Sequence, residues 1–301
     1  MNNNTKDSRC QAVQKILQKT AIKKQSNKKT IEWLESIGES EKAAKIEQCA
    51  THLGITYENG NAKVVQADFC RERICSVCAW RRQAKFYAQM VPTIDYLSER
   101  KYKFLFLTLT AKNVQTKAEL KTLVDNMLSA YKLLQNRREI RRTWKGMCRS
   151  VEITHTAEKG FHPHIHCIVA VDENYFKSDY LSHEFIRNVW QECLRVDYKP
   201  QVHIKRIKDK EKGIKETFKY AFKPSDKAED MAALYGAFLG VLKGKRLVSF
   251  SGVFAKVRKL LKFADFETVL TDELQGKVRT YELYRFDVTG GIYAYQEQLK
   301  L

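Results

Sequence analysis

Nowhere in its 301 residues does the chain hold an apolar run long enough to cross a bilayer as a helix, which takes about 20 residues. The opening stretch MNNNTKDSRC lacks the apolar core of a signal peptide, so the expectation is a cytoplasmic protein. No G-x-x-x-x-G-K-[ST] phosphate loop occurs, which argues against ATP-driven unwinding by this chain. Zinc-deaminase chemistry needs His-x-Glu with Pro-Cys-x-x-Cys, and neither is present. The stretch HEFIR begins like a zinc-protease motif but puts Arg187 where the second histidine belongs. Internal repeats and low-complexity linkers are also missing. Acidic residues are scarce: 35 Asp+Glu stand against 54 Lys+Arg, a formal charge of +19. That balance fits a polyanionic partner, nucleic acid or an anionic membrane surface.

What is present is concentrated. Eight cysteines in a cytoplasmic chain read as thiols or metal ligands rather than disulfides. Three form CRERICSVC, with Cys70, Cys75 and Cys78 spaced C-x4-C-x2-C. Structural zinc takes four ligands. The preceding THLGITYENGNAKVVQADF reads as a hairpin turning at Asn59-Gly60. With a two-residue turn in register, paired positions sum to 119, which places Cys49 opposite Cys70. A zinc site of Cys49, Cys70, Cys75 and Cys78 is the preferred reading, with His52 the competing ligand. Cys10, Cys148, Cys167 and Cys193 read as ordinary small apolar residues. WRRQAKFY, directly after the cysteines, interleaves aromatic and basic residues, making Arg81 and Arg82 candidate DNA contacts.

Residues 8–48 read as lysine-rich helices broken near 25–29 and at Gly38, and 79–99 as a helix kinked or broken at Pro92. From there the chain alternates: strand 102–110, helix 116–140, strands 145–155 and 164–171, helix 182–196 capped by Ser182, strand 201–207, and helix 212–223 stopped by Pro224. The order β-α-β-β-α-β plus a helix predicts an α+β, ferredoxin-like antiparallel sheet in the order 4-1-3-2. Residues 1–98 read as an N-terminal helical and zinc-hairpin region, 99–226 as the core, and 227–301 as a C-terminal α/β extension.

Three of the seven histidines fall within five positions, in GFHPHIHCIV. On a strand, His164 and His166 project from one face, and neutral imidazoles at that spacing can hold a divalent cation. His162 shares their parity, though Pro163 leaves its place in the strand open. Glu152, in SVEITH on the preceding strand, is expected close to opposite His166. Two histidines and a carboxylate, with coordination positions left open, suit catalytic Mg²⁺, Mn²⁺ or Zn²⁺.

The helix KGIKETFKYAFK sets Glu216, Tyr220 and Lys223 on one face, with Lys219 on the flank. A tyrosine hydroxyl has an ordinary pKa of about 10 and is a poor nucleophile. It becomes competent against a phosphodiester when the phosphate is polarised and lysines balance the developing charge. Glu216 can act as general base for a second attacker.

FLFLTLTAKNV (104–114), FHPHIHCIV (161–169) and ETFKYAFK (216–223) resemble, in order, the three motifs of rolling-circle replication initiators of small bacterial plasmids, endonucleases of the HUH type. The resemblance spans roughly 70–260 and includes the FC-x4-C-x2-C-x-WRR stretch. It implies His164 and His166 as metal ligands and Tyr220 as the nicking nucleophile. Glu216 matches a glutamate that one branch carries four residues before the tyrosine. The single tyrosine in the motif does not imply a two-tyrosine mechanism. Glu152 and His162 stay open as the third ligand. The implied partners are plasmid origin DNA, single-stranded or extruded as a hairpin, and a host helicase and DNA polymerase. The terminal regions are candidates for origin recognition or homodimerisation. An HUH-type transposase, or a non-catalytic zinc-stabilised DNA-binding regulator, would share some of these features.

Overall fold

The computed structural model describes residues 3–217, 228–265, 269–272 and 280–300. Helices α1 (Asn3–Gln25), α2 (Lys28–Ser36) and α3 (Ser40–Gln48) lead into strands β1 (His52–Glu58) and β2 (Asn61–Ala67) and the long helix α4 (Ser76–Glu99). Then follow β3 (Lys103–Thr110), α5 (Lys117–Asn136), α6 (Arg138–Thr143), β4 (Trp144–Thr156), β5 (Gly160–Val171), α7 (His183–Leu194), β6 (Val202–Arg206) and α8 (Lys210–Thr217). The described remainder is α9 (Ala228–Gly240), β7 (Val248–Phe250), α10 (Gly252–Leu260), β8 (Thr280–Asp287) and β9 (Ile292–Lys300). The chain divides into two compact units, Met1–Lys85 with Ala264–Leu301, and Phe86–Phe263. Residues 227–301, read from sequence as one extension, are thereby divided at 263/264.

In the first unit, four antiparallel strands lie in the order β2-β1-β8-β9. The β1–β2 turn falls at Asn59 and Gly60, whose φ of 51° and 80° suit the two-residue hairpin turn. Pairs sum to 119 from Glu58↔Asn61 to Ile55↔Val64, and then a bulge shifts the register so that Gly54 faces Gln66. The cause is local. The Tyr281 ring lies so close to Gly54 that a Cβ there would stand 2.6 Å from it. The expected Cys49–Cys70 strand pair is therefore lost: Cys49 caps α3, and both residues lie outside the strands. Helix α1 buries Val13, Leu17 and Ala21 and lies against β1, β2 and β9.

In the second unit, five antiparallel strands lie in the order β6-β3-β5-β4-β7. The first and third strands of the unit, β3 and β5, are central neighbours, paired from Lys103↔Val171 to Thr110↔His164. One sheet face carries Leu105, Leu107, Ile165, Cys167 and Val169, all buried. Arg149, which shares this face across β4, stacks over Tyr131 of α5 at 5.3 Å. Helix α5 begins at Thr116, whose hydroxyl accepts from Glu119 N in a full capping box. Helices α8 and α10 pack on β5 and β4, and Phe254 of α10 meets Phe104 on the opposite sheet face.

Two prolines lie inside their elements and do not end them. Pro92 neither breaks nor ends α4, which runs through it. The carbonyl that loses a helical donor belongs to exposed Ala88, where water can replace it. Strand β5 starts at Gly160 and continues through Pro163. Phe161 exchanges both backbone hydrogen bonds with Val114. Pro163, two residues on, turns its ring nitrogen to that same edge, past the last β3 pair at Thr110. Gly160 has φ +70°, and a Cβ there would lie 2.4 Å from Val114 O. Gly160→Ala should therefore lower stability by about 1–3 kcal/mol, read as a lower urea midpoint at unchanged slope.

Candidate functional site

Because β5 is regular through Pro163, His162, His164 and His166 all point from one face into a cleft of about 650 Å³. The imidazole centroids are 4.2 Å apart for His162–His164 and 5.6 Å for His164–His166. The residue directly opposite Glu152 on β5 is His164, not His166, which faces Ser150. The longer glutamate side chain reaches diagonally, so Glu152 Oε2 still lies 2.7 Å from His166 Nε2. Both groups are buried. The other ring nitrogen of His166, Nδ1, is 3.1 Å from the Thr108 hydroxyl on β3. Both nitrogens of His166 are thus engaged, which fixes the ring.

Burial pushes the His164 pKa down to about 4, and the neighbouring His162 adds to the effect. Burial also lowers His162. Near neutral pH these rings are uncharged and keep a lone pair for a metal. Glu216, in the last turn of α8, lines the same cleft. Its helix is pinned there by the buried Ser150 hydroxyl, which donates to Thr217 O. Tyr220, Lys219 and Lys223 lie outside the described residues. Arg187, Lys199 and Lys205 also line the cleft, giving it the cationic wall that a polyanion needs. The sequence reading missed these three and Thr108. Thr108 sits in the FLTLT alternation on the parity of Phe106 and Thr110, a signal that was available.

The second cluster lies in the first unit. The Sγ atoms of Cys49, Cys70, Cys75 and Cys78 all lie within 4.8 Å of one another. Cys49–Cys78 and Cys70–Cys78 are 3.5 and 3.6 Å apart, near the ~3.8 Å edge of a tetrahedron with zinc–sulfur bonds of about 2.3 Å. Hydrogen bonds from the other three thiols hold Cys75 well below the usual thiol range, while Cys49 is pushed far up. Four thiols packed this close cannot all ionise without a cation among them, so the donor set fits a metal such as zinc. His52 is not part of it: its ring pairs with Asp68 at 3.2 Å. Asn27 donates to Cys75 Sγ at 3.4 Å and accepts from Ser76 N at 2.7 Å. Lys24 Nζ donates to Cys49 O at 2.8 Å. The α1–α2 turn therefore grips both halves of the cluster, a link the sequence did not announce. Among the described residues, this is the one set that brings three or more such donors within 4.8 Å of one another.

Arg81 and Arg82 are used internally. Arg81 is buried, with its guanidinium on Leu270 O at 2.8 Å and Asp272 at 3.0 Å. Arg82 donates to Arg71 O and Glu72 O, closing the cysteine loop. The aromatic–basic interleaving of WRRQAKFY reports packing for these two residues. Among the described residues, no helix is long and apolar enough to cross a membrane.

A family model described as replication protein matches residues 61–294. "Protein rep" of Streptococcus pneumoniae serotype 2 (strain D39 / NCTC 7466) is 35% identical over 234 residues, covering 74% of this chain and 73% of that protein. "Protein rep" of Lactiplantibacillus plantarum is 32% identical over 249 residues, covering 77% and 78%. "Protein rep" of a Bacillus species is 30% identical over 257 residues, covering 76% and 83%. No solved structure matches the chain significantly.

Proposed function

The chain belongs to the replication-protein family and is a plasmid replication initiator, and from that premise we propose that it nicks and rejoins single-stranded origin DNA through a covalent tyrosine intermediate. The observation that carries this reading is the cleft lined by His164, His166 and Glu216, with Glu152 Oε2 2.7 Å from His166 Nε2. The strand order β6-β3-β5-β4 matches the 4-1-3-2 order of a ferredoxin-like core and supports the same reading.

His164, His166 and Glu152 would hold a divalent cation, Mg²⁺ or Mn²⁺, which when bound polarises the scissile phosphate. Every other task falls to the chain. The cleft lysines and Arg187 bind the DNA backbone and orient it. The Tyr220 oxygen bonds to phosphorus as the P–O3′ bond breaks, leaving a 3′-hydroxyl and a 5′-phosphotyrosine. Lys219 and Lys223 balance charge on the phosphoryl oxygens. The phosphotyrosine bond preserves the energy of the phosphodiester, so a 3′-hydroxyl can attack it and rejoin the strand. Glu216 accepts the proton of that second attacker, whether hydroxyl or water. The four-cysteine site would hold structural zinc. Unwinding and synthesis fall to a host helicase and polymerase in the bacterial cytoplasm.

The test is a denaturing gel of the protein with a single-stranded oligonucleotide from its plasmid's origin, with and without Mn²⁺. A metal-dependent adduct is expected, and Tyr220→Phe should abolish it. Origin binding with no adduct under either condition would instead favour a non-catalytic regulator.

A further inference from the structure

Helix α1 has a second face that the described residues leave exposed. Val13, Leu17 and Ala21 point into the sheet, while Gln11, Gln14, Lys15, Gln18 and Lys19 are exposed on the other side. Among the described residues, none of these five side chains engages a partner. Between Ser8 and Thr30 the sequence has seven Lys or Arg and no Asp or Glu. Some of that charge is spent inside the unit, with Arg9 on Glu282 at 2.6 Å and Lys24 at the cysteine cluster. Lys15 and Lys19 are left facing outward.

We infer that this face of α1 reads duplex DNA at the origin. A helix about 10–12 Å across fits the major groove, which is about 12 Å wide. Glutamine amides recognise adenine through paired hydrogen bonds, and lysines meet phosphates or guanine. Gln11, Gln14 and Gln18, one helical turn apart in succession, form a row along the helix, flanked by Lys15 and Lys19. Ile22, 61% exposed, extends the row with an apolar contact suited to a thymine methyl. An anionic membrane is the poorer fit, because the apolar face of the helix is already buried in the sheet. The family model matches from residue 61, so α1 lies outside the segment it matches. That is where an element distinguishing one plasmid's origin from another's belongs. The inference rests on the chain being an initiator and not on the nicking mechanism.

The test is fluorescence anisotropy with a duplex from the origin and a scrambled duplex of equal length, without added divalent cation. Lys15→Glu with Lys19→Glu should weaken binding to both duplexes and reduce the slope of log affinity against log salt by about 2. Gln14→Ala with Gln18→Ala should cost about 10-fold on the origin duplex and leave the scrambled duplex unchanged. Melting midpoints should match the parent, since all four positions are exposed; Lys15→Gln with Lys19→Gln repeats the comparison if charge reversal alters the melt. Unchanged origin affinity in both double variants would overturn the inference. So would unchanged affinity with an altered sedimentation coefficient, which would assign the face to a second copy of the chain. Because duplex binding is read without cleavage, failure of the nicking proposal and failure of this one are separable.

Discussion

His166→Ala should lower the single-turnover rate of nicking by about 10³-fold, because under the proposed mechanism it removes a ligand of a cation that would supply several kcal/mol of transition-state stabilisation. The contacts of His166 set it apart from the other two histidines of the cleft. It is the ring that meets both Glu152, at 2.7 Å, and Thr108, at 3.1 Å. Its loss also leaves the carboxylate of Glu152 buried without this partner. Thr108→Val is the graded companion. It keeps the ligand but releases the ring, and should weaken Mn²⁺ binding by about 10- to 100-fold. Mn²⁺ titration by calorimetry alongside the rate separates the two variants. Thr108→Val should recover rate at high Mn²⁺, and His166→Ala should not. Equal rates for His166→Ala and the parent at saturating Mn²⁺ would remove the histidine pair from the chemistry.

The second large effect is expected at the cysteines. Cys75→Ser, or extraction of the metal with a strong chelator, should melt the first unit. Structural zinc in small domains contributes an apparent stabilisation of about 10–16 kcal/mol, as much as or more than the whole stability of an ordinary domain. Here Cys49, Cys75 and Cys78 are fully buried, and the α1–α2 turn is tied to them through Asn27 and Lys24. The loss should therefore be read as reduced helical circular dichroism and disappearance of one calorimetric transition, with release of one zinc per chain. Cys10→Ser is the control, since Cys10 is exposed and outside the cluster. An undiminished melt after complete metal removal would contradict a structural role.

Much of this was legible because it is local. Asn59-Gly60 announces its turn, Ser182 its helix, and His164 and His166 their shared face. What failed was geometry carried across distance. Counting pairs from the hairpin turn held to Ile55↔Val64 and then lost a residue to the bulge between Gly54 and Ile55, beside which Tyr281, more than 200 positions away, packs on Gly54. The four cysteines met nonetheless, gathered by the end of α3 and the start of α4 rather than by strand pairing. Glu152, expected close to opposite His166, faces His164 directly and still meets His166 because a glutamate spans the diagonal. The pairing of β8 with β1 joins Ile55 to Glu282; alternation identifies a strand but carries no address for its partner. Arg81 reads as a surface cation in sequence, and only the fold reveals Asp272 and Leu270 waiting for it.

The proposed chemistry comes down to one bond, between a tyrosine oxygen of this chain and DNA phosphorus. Tandem mass spectrometry of the tryptic peptides from the Mn²⁺-dependent adduct, after nuclease trimming, tests it most directly. A nucleotide mass is expected on the peptide containing Tyr220, with fragment ions placing it on that side chain. A modification mapped to any other residue, or cleaved DNA with no modified peptide, would contradict it.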